Sequence, residues 1–135
     1  MARFYDIDEA NATLGELESI ATVLAEQRAE LVRLRDHALA RSPGTADDVE
    51  PLSDDELRTL RLRMQGLVDQ MAAGVARIDQ LGLSLRDIES GLVDFPALVA
   101  GRQVWLCWRR GEPQIGWWHD LDTGFSSRRP LSELA

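Results

Sequence analysis

From Ile7 to about Ala40 the apolar positions keep a seven-residue rhythm. Leu17, Leu24, Leu31 and Ala38 fall seven apart, with Ile20, Gln27 and Leu34 three residues after the first three. That is the a/d pattern of a helix packed along a coiled-coil seam, with Gln27 as one polar layer that can fix register. Asp6 can cap this helix, and Glu9, three residues later, can reach back as a capping box. The run from Arg41 to Pro51 contains Pro43-Gly44, a second proline and clustered acids, so it cannot continue the helix and is predicted as a hairpin loop.

A second capping box, Ser53 with Glu56, opens the next helix. Leu57, Met64, Met71 and Ile78 repeat every seven residues, with Leu60, Leu67 and Leu81 at the partner positions. Gly74 leaves a thin spot between Leu67 and Leu81, and Gly82 supplies the stop. The short connection makes the two helices antiparallel. Their apolar face, widened by Leu14, Ala21, Ala25, Val68 and Val75, exceeds a two-helix seam, so it seeks either the C-terminal region or a second copy of the chain.

Beyond Gly82 the period changes. Gln103-Val104-Trp105-Leu106-Cys107-Trp108-Arg109 and Gln114-Ile115-Gly116-Trp117-Trp118-His119 read as strands of a β-hairpin turning at Gly111-Glu112. In that register Trp108 faces Ile115, Leu106 faces Trp117 and Val104 faces His119, while Trp105, Cys107, Arg109, Gln114, Gly116 and Trp118 share the other side. The expected fold class is therefore α+β and mostly α, a long antiparallel helical hairpin followed by a small C-terminal β-hairpin region. The expectation is a single domain, 1–135, with 1–81 helical and 82–135 tryptophan-rich.

Composition narrows the function classes without naming one. The 135 residues suffice for a core, and 15 basic against 23 acidic residues leave a net charge of −8, which disfavours nucleic acid and anionic lipid as partners. All the basic residues are arginine, most simply a genomic bias. The acid is concentrated in 1–81, which carries 16 acidic and 9 arginine residues, against 7 and 6 in 82–135. One cysteine, Cys107, excludes an internal disulfide and a multi-thiolate cluster. The opening Met1-Ala2-Arg3-Phe4-Tyr5-Asp6 has no apolar signal core and no window is long enough to span a membrane, so a cytoplasmic location is expected.

Several strings carry a family resemblance. Gly91-Leu92-Val93-Asp94-Phe95-Pro96-Ala97, Gly101 through Trp108, Gly111-Glu112-Pro113, Trp118 through Phe125, and the N-terminal Asp8-Glu9-Ala10-Asn11-Ala12-Thr13-Leu14 resemble the prokaryotic family catalogued as domain of unknown function 2203. The resemblance covers nearly the whole chain. It implies the same fold and a bacterial or archaeal setting, and it brings no activity with it.

Candidate chemistry centres on His119, because imidazole is the commonest metal ligand and titrates near neutrality. Asp120 and Asp122 follow it, Glu112 lies on the turn and Asp94 is expected in the preceding loop. His119 with Asp122 and Glu112 forms a candidate set for a divalent ion such as Mn²⁺, Fe²⁺ or Zn²⁺, with Asp94 or Glu9 as a further carboxylate that folding can bring in. The bland alternative has His119 donating to a backbone carbonyl while Asp122 shapes the Thr123-Gly124 turn. Leu121-Asp122-Thr123-Gly124 also spells the aspartic-protease core, but in a helix-rich chain a plain turn accounts for it better. Cys107, between two tryptophans, reads as core rather than nucleophile. His37 suits the end of its helix. Arginines 102, 109, 110, 128 and 129 are expected to pair with local acids.

Trp105, Trp118 and Arg109 on one hairpin face form a candidate ligand surface. Phosphate loops, HExxH, CxxC pairs and nucleophile elbows are absent from the sequence. Two functions follow as expectations: a homodimeric interaction or ligand-binding module, whose partner is a protein or small molecule, or a metal-binding protein or metal-dependent enzyme using His119 with nearby carboxylates.

Overall fold

Asp6 accepts the backbone N–H of Glu9 at 2.7 Å and so begins α1 (Ile7–Ala40). The reciprocal half of the capping box is not formed, and the Glu9 carboxylate lies 3.9 Å from Arg3. At α2 (Asp54–Gln80) the box is complete, with Ser53 and Glu56 each accepting the other's backbone N–H at 3.1 Å. The helix closes with Gly82 N–H on the Asp79 carbonyl and Leu83 N–H on that of Ile78, a Schellman motif. The computed structural model describes residues 3–44 and 49–134. Of the expected loop between the helices, residues 45–48 lie outside the described residues.

The helices pair with each other. Gln27 donates to Gln70 across the seam at 3.2 Å, and the ion pairs Glu16–Arg77 and Glu30–Arg63 flank it. At Gly74 a Cβ would stand 3.0 Å from Leu24 Cδ2, so Leu24 leans into the space of the missing side chain. No helix among the described residues is long and apolar enough to cross a membrane.

The second region is larger than a hairpin. A five-stranded antiparallel sheet runs in chain order through β1 (Ser84–Asp87), β2 (Leu92–Val99), β3 (Arg102–Arg109), β4 (Trp117–His119) and β5 (Arg129–Pro130). In β2, Val93, Phe95 and Ala97 alternate with Asp94 and Pro96, so Asp94 stands in a strand and not in the expected loop. Pro96 is tolerated because β1 pairs only with residues 92–94; on that side the Pro96 carbonyl instead accepts the Tyr5 N–H at 2.7 Å. Tyr5 also gives its hydroxyl to the Leu81 carbonyl and packs edge-on against Phe95, tying both helices to the sheet.

The expected β3–β4 register is off by one residue. Trp105 pairs with His119, Leu106 with Trp118 and Cys107 with Trp117. The expected two-residue turn is a longer connection, because α1 holds it: Asn11 accepts the Ile115 N–H at 2.7 Å and Glu18 that of Gly111 at 3.0 Å. An Ile115 N–H held by Asn11 is not available to β3, and Pro113 has no N–H to offer. Because strand side chains alternate, the shift sends all of β4 to the opposite face. Trp118 turns inward, while Trp117 and His119 turn outward beside Trp105 and Cys107.

The inner face meets the helices in one core. Phe95, Val93, Val104, Leu106, Trp108 and Trp118 pack with Leu17, Ala21, Leu24 and Ile78. The tryptophan-rich region thus covers the N-terminal half of α1 and the C-terminal half of α2. Farther along the hairpin, Leu34 and Leu60 are the buried apolar residues among those described.

Candidate functional site

Three neighbouring strands bring polar side chains to the outer face of the sheet. β2 supplies Asp94, directly opposite Cys107 of β3, and β4 supplies His119, opposite Trp105. Asp94 and His119 are both 2% exposed and Cys107 is fully buried. The segment after β4 closes over it. Arg128 lies between the rings of Trp117 and Phe125, at 4.5 and 4.3 Å, and both of its terminal nitrogens grip Glu112, at 3.1 and 2.8 Å.

His119 Nε2 stands 3.0 Å from Asp94 Oδ2, and its Nδ1 stands 2.8 Å from the Asp120 carbonyl. A carbonyl can only accept, so Nδ1 is the donor in that contact and Nε2 is the ring nitrogen turned to Asp94. Arg86 donates to the same Oδ2 at 2.9 Å and lies over Trp105 at 5.0 Å. Asp94 Oδ1 is buried and accepts no hydrogen bond. Burial, reinforced by the Asp94 charge, pushes the Cys107 thiol up to about 12, so it is no nucleophile at neutral pH.

A cleft of about 320 Å³ opens onto this centre, with Arg86, Asp94 and Asp122 as its charged lining and Leu92, Leu121 and Phe125 as its apolar walls. The Thr123 N–H and hydroxyl both donate to the Asp120 carbonyl, which folds the cleft's lip into a turn.

The residues singled out from sequence are dispersed by the fold. His119 is at the centre and Asp122 at the cleft. Glu112 is held by Arg128 and by the Arg109 backbone N–H. Trp105 is half-buried on the outer face and Arg109 is exposed there, its guanidinium 5.5 Å from the Phe125 ring. Trp118 is not with them: it is 3% exposed on the inner face, between Arg102 and Arg129. Arginine pairing with local acids holds for Arg102 with Asp120 and for Arg128 with Glu112.

Among the described residues, the His, Cys, Asp and Glu donor atoms that converge as a trio belong to Asp94, Cys107 and His119, all within 4.8 Å of one another. Arg86 went unnoticed in the sequence; its signal is its position two residues after Ser84, on the strand that pairs with Asp94.

Comparison with known proteins gives no match among curated proteins and none among solved structures. A family model does match: the family described as Uncharacterized conserved protein (DUF2203) aligns with residues 3–131, nearly the full length, and the chain belongs to that family.

Proposed function

We propose that this protein is a ligand-binding module whose site is the cleft over the outer face of the sheet. The observation that carries this reading is the buried Asp94–His119 pair, whose aspartate lines a cleft that mixes charged and apolar side chains. Removing an acid and a base from water costs several kcal/mol, and well-packed apolar residues in their place are often neutral or stabilising. Their neighbours on this face include Trp105, Trp117 and Pro96, which would suit such a replacement. A pair that folding does not require is explained by what it binds. Arg86, nearly half exposed, and Asp122 offer donors and acceptors at the mouth, which suits a small polar ligand; Trp105 and Arg109 extend the same face.

The test is stability. Asp94→Val combined with His119→Phe should leave the melting temperature unchanged or raised, because Arg86 can turn to solvent. A loss of more than about 3 kcal/mol would make the pair a structural network and overturn the reading.

We further propose that the chain forms a homodimer through its helices. In support, Leu31, Val32, Met64 and Val68 line an apolar cleft of about 550 Å³ on the part of the hairpin beyond the sheet, and Ile20, Val23 and Gly74 line another of about 330 Å³. Light scattering on the purified chain should give twice the monomer mass, reduced to one by Val68→Glu; a monomeric wild type would overturn it. The single cysteine, free and buried, suits the reducing cytoplasm that we propose as its location.

A further inference from the structure

We infer that the ligand of this centre is a divalent transition metal ion of the zinc type, held by His119 Nε2, Cys107 Sγ and the Asp94 carboxylate. The inference rests on the ligand-binding reading and specifies it. Three donors of different elements, nitrogen, sulfur and oxygen, come within 4.8 Å of one another, from three strands and with almost no exposure. Ligands bound at about 2.0–2.3 Å around a tetrahedral ion stand closer together than that limit, so small side-chain adjustments suffice.

Two further observations point the same way. Asp94 Oδ1 is a buried acceptor with nothing donating to it, which is costly unless a cation supplies the missing partner. His119 is also prepared as a ligand, since the Asp120 carbonyl holds its Nδ1 proton and aims Nε2 at Asp94; metal-bound histidines are typically held this way. The donor set selects the ion. Thiolate with imidazole and one carboxylate suits zinc or cobalt, whereas magnesium and calcium require oxygen shells.

Binding is balanced in protons. The thiolate is the ligand form of cysteine, so the ion displaces the Cys107 thiol proton, which leaves for solvent. Arg86, which is partly exposed and already stacked over Trp105, can release Asp94 without being buried unpaired. Asp94 also lines the cleft, whose lining holds Asp122 as a further carboxylate for the ion.

The test uses the full chain, purified without an affinity tag, stripped with a chelator and titrated with Co²⁺ and then Zn²⁺. One equivalent of Co²⁺ should produce a thiolate-to-cobalt charge-transfer band, and Zn²⁺ should erase it. Cys107→Ser should abolish the band, and His119→Gln should weaken binding at least 100-fold, with circular dichroism showing both variants folded. No band with the wild type, or a band that survives Cys107→Ser, overturns the inference. Should His119→Gln prove unfolded, Asp94→Asn carries the same expectation and the same power to overturn it. The stability test of the ligand-binding reading involves no metal, so the two can fail separately: a metal-free centre whose apolar double variant is as stable as wild type leaves a site with a different ligand.

Discussion

Trp118 stands opposite Leu106 in the β3–β4 ladder, and that pairing turns its indole toward the helices, where it is 3% exposed. Trp105, one position along β3 from Leu106, therefore faces the other way and is only half-buried, with Arg86 stacked on it. Trp118→Ala should cost about 3–5 kcal/mol, as for other large core truncations. Trp105→Ala should cost well under half as much. Because the Trp118 indole N–H is buried without a partner, Trp118→Phe should also cost much less than Trp118→Ala. Urea denaturation of the three variants checks the order; equal losses from Trp105→Ala and Trp118→Ala would show that both faces of the sheet are core.

The helices were legible because their signals are local. Asp6, Ser53, Glu56 and Gly82 act within a turn of where they stand, and the seven-residue rhythm fixes the face. The sheet was only half legible. Pro96 disguised β2, since a proline argues against a strand unless its missing N–H lies on an unpaired side, and Tyr5 meets that side from far away in sequence. The β3–β4 register depends on Asn11, 104 positions before Ile115, and no window of sequence contains both. The site shows the same division. His119, Asp94 and Cys107 were each visible as chemical groups, but their convergence follows from a register that the hairpin pattern placed one residue away. Glu112 looked equally available and is instead taken by Arg128, 16 residues on.

In the metal-free native protein Cys107 should behave as an inert thiol. Burial, with Asp94 nearby, pushes it up to about 12, so almost no thiolate exists at neutral pH. An alkylating reagent at pH 8 should therefore label it only at the rate of unfolding. The linkage has a definite sign. Above the ordinary thiol value of 9.0 the unfolded chain loses this proton while the native chain keeps it, so stability falls as pH rises from there toward about 12. Cys107→Ser should reduce that slope, leaving the part due to Tyr5, whose hydroxyl is also pushed up from 10.0 by burial. Rapid labelling of folded protein would contradict the burial.

Arg128→Lys should loosen the strap that closes the outer face. The guanidinium makes two hydrogen bonds to Glu112 and lies against Trp117 and Phe125. Lysine keeps the charge but has neither the planar fork nor the flat face. A cost of about 2 kcal/mol is expected for this pair, which is largely shielded from water. Amide exchange should quicken across residues 120–131 and not in α1 or α2. Uniform quickening, or none, would show that the strap does not depend on this contact.

Two turns of the sheet give the sharpest contrast, because both contain glycines with positive φ but for different reasons. At the β2–β3 connection Ala100 has φ 50° and Gly101 φ 78°, as a type I′ turn requires, and nothing lies within 4 Å of where a Gly101 side chain would begin. At the β1–β2 connection Gly91 has φ 69°, and a Cβ there would come within 2.5 Å of the Arg110 Cβ, whose backbone N–H is bonded to the Gly91 carbonyl. Gly101→Ala therefore adds only conformational strain, about 1–2 kcal/mol. Gly91→Ala adds the same strain and a collision that only a shift of backbone can relieve, so its loss must be larger. Ala100→Asn should move in the opposite direction: asparagine accepts positive φ more readily than alanine, and Asn-Gly is the preferred pair for this turn, for a gain of about 0.5–1 kcal/mol. Thermal denaturation of the three single variants should rank Ala100→Asn above wild type, then Gly101→Ala, then Gly91→Ala. If Gly91→Ala proved as mild as Gly101→Ala, the close approach of Arg110 would not be a constraint on the sheet, and the β3–β4 connection that follows it would have to be anchored by Asn11 and Glu18 alone.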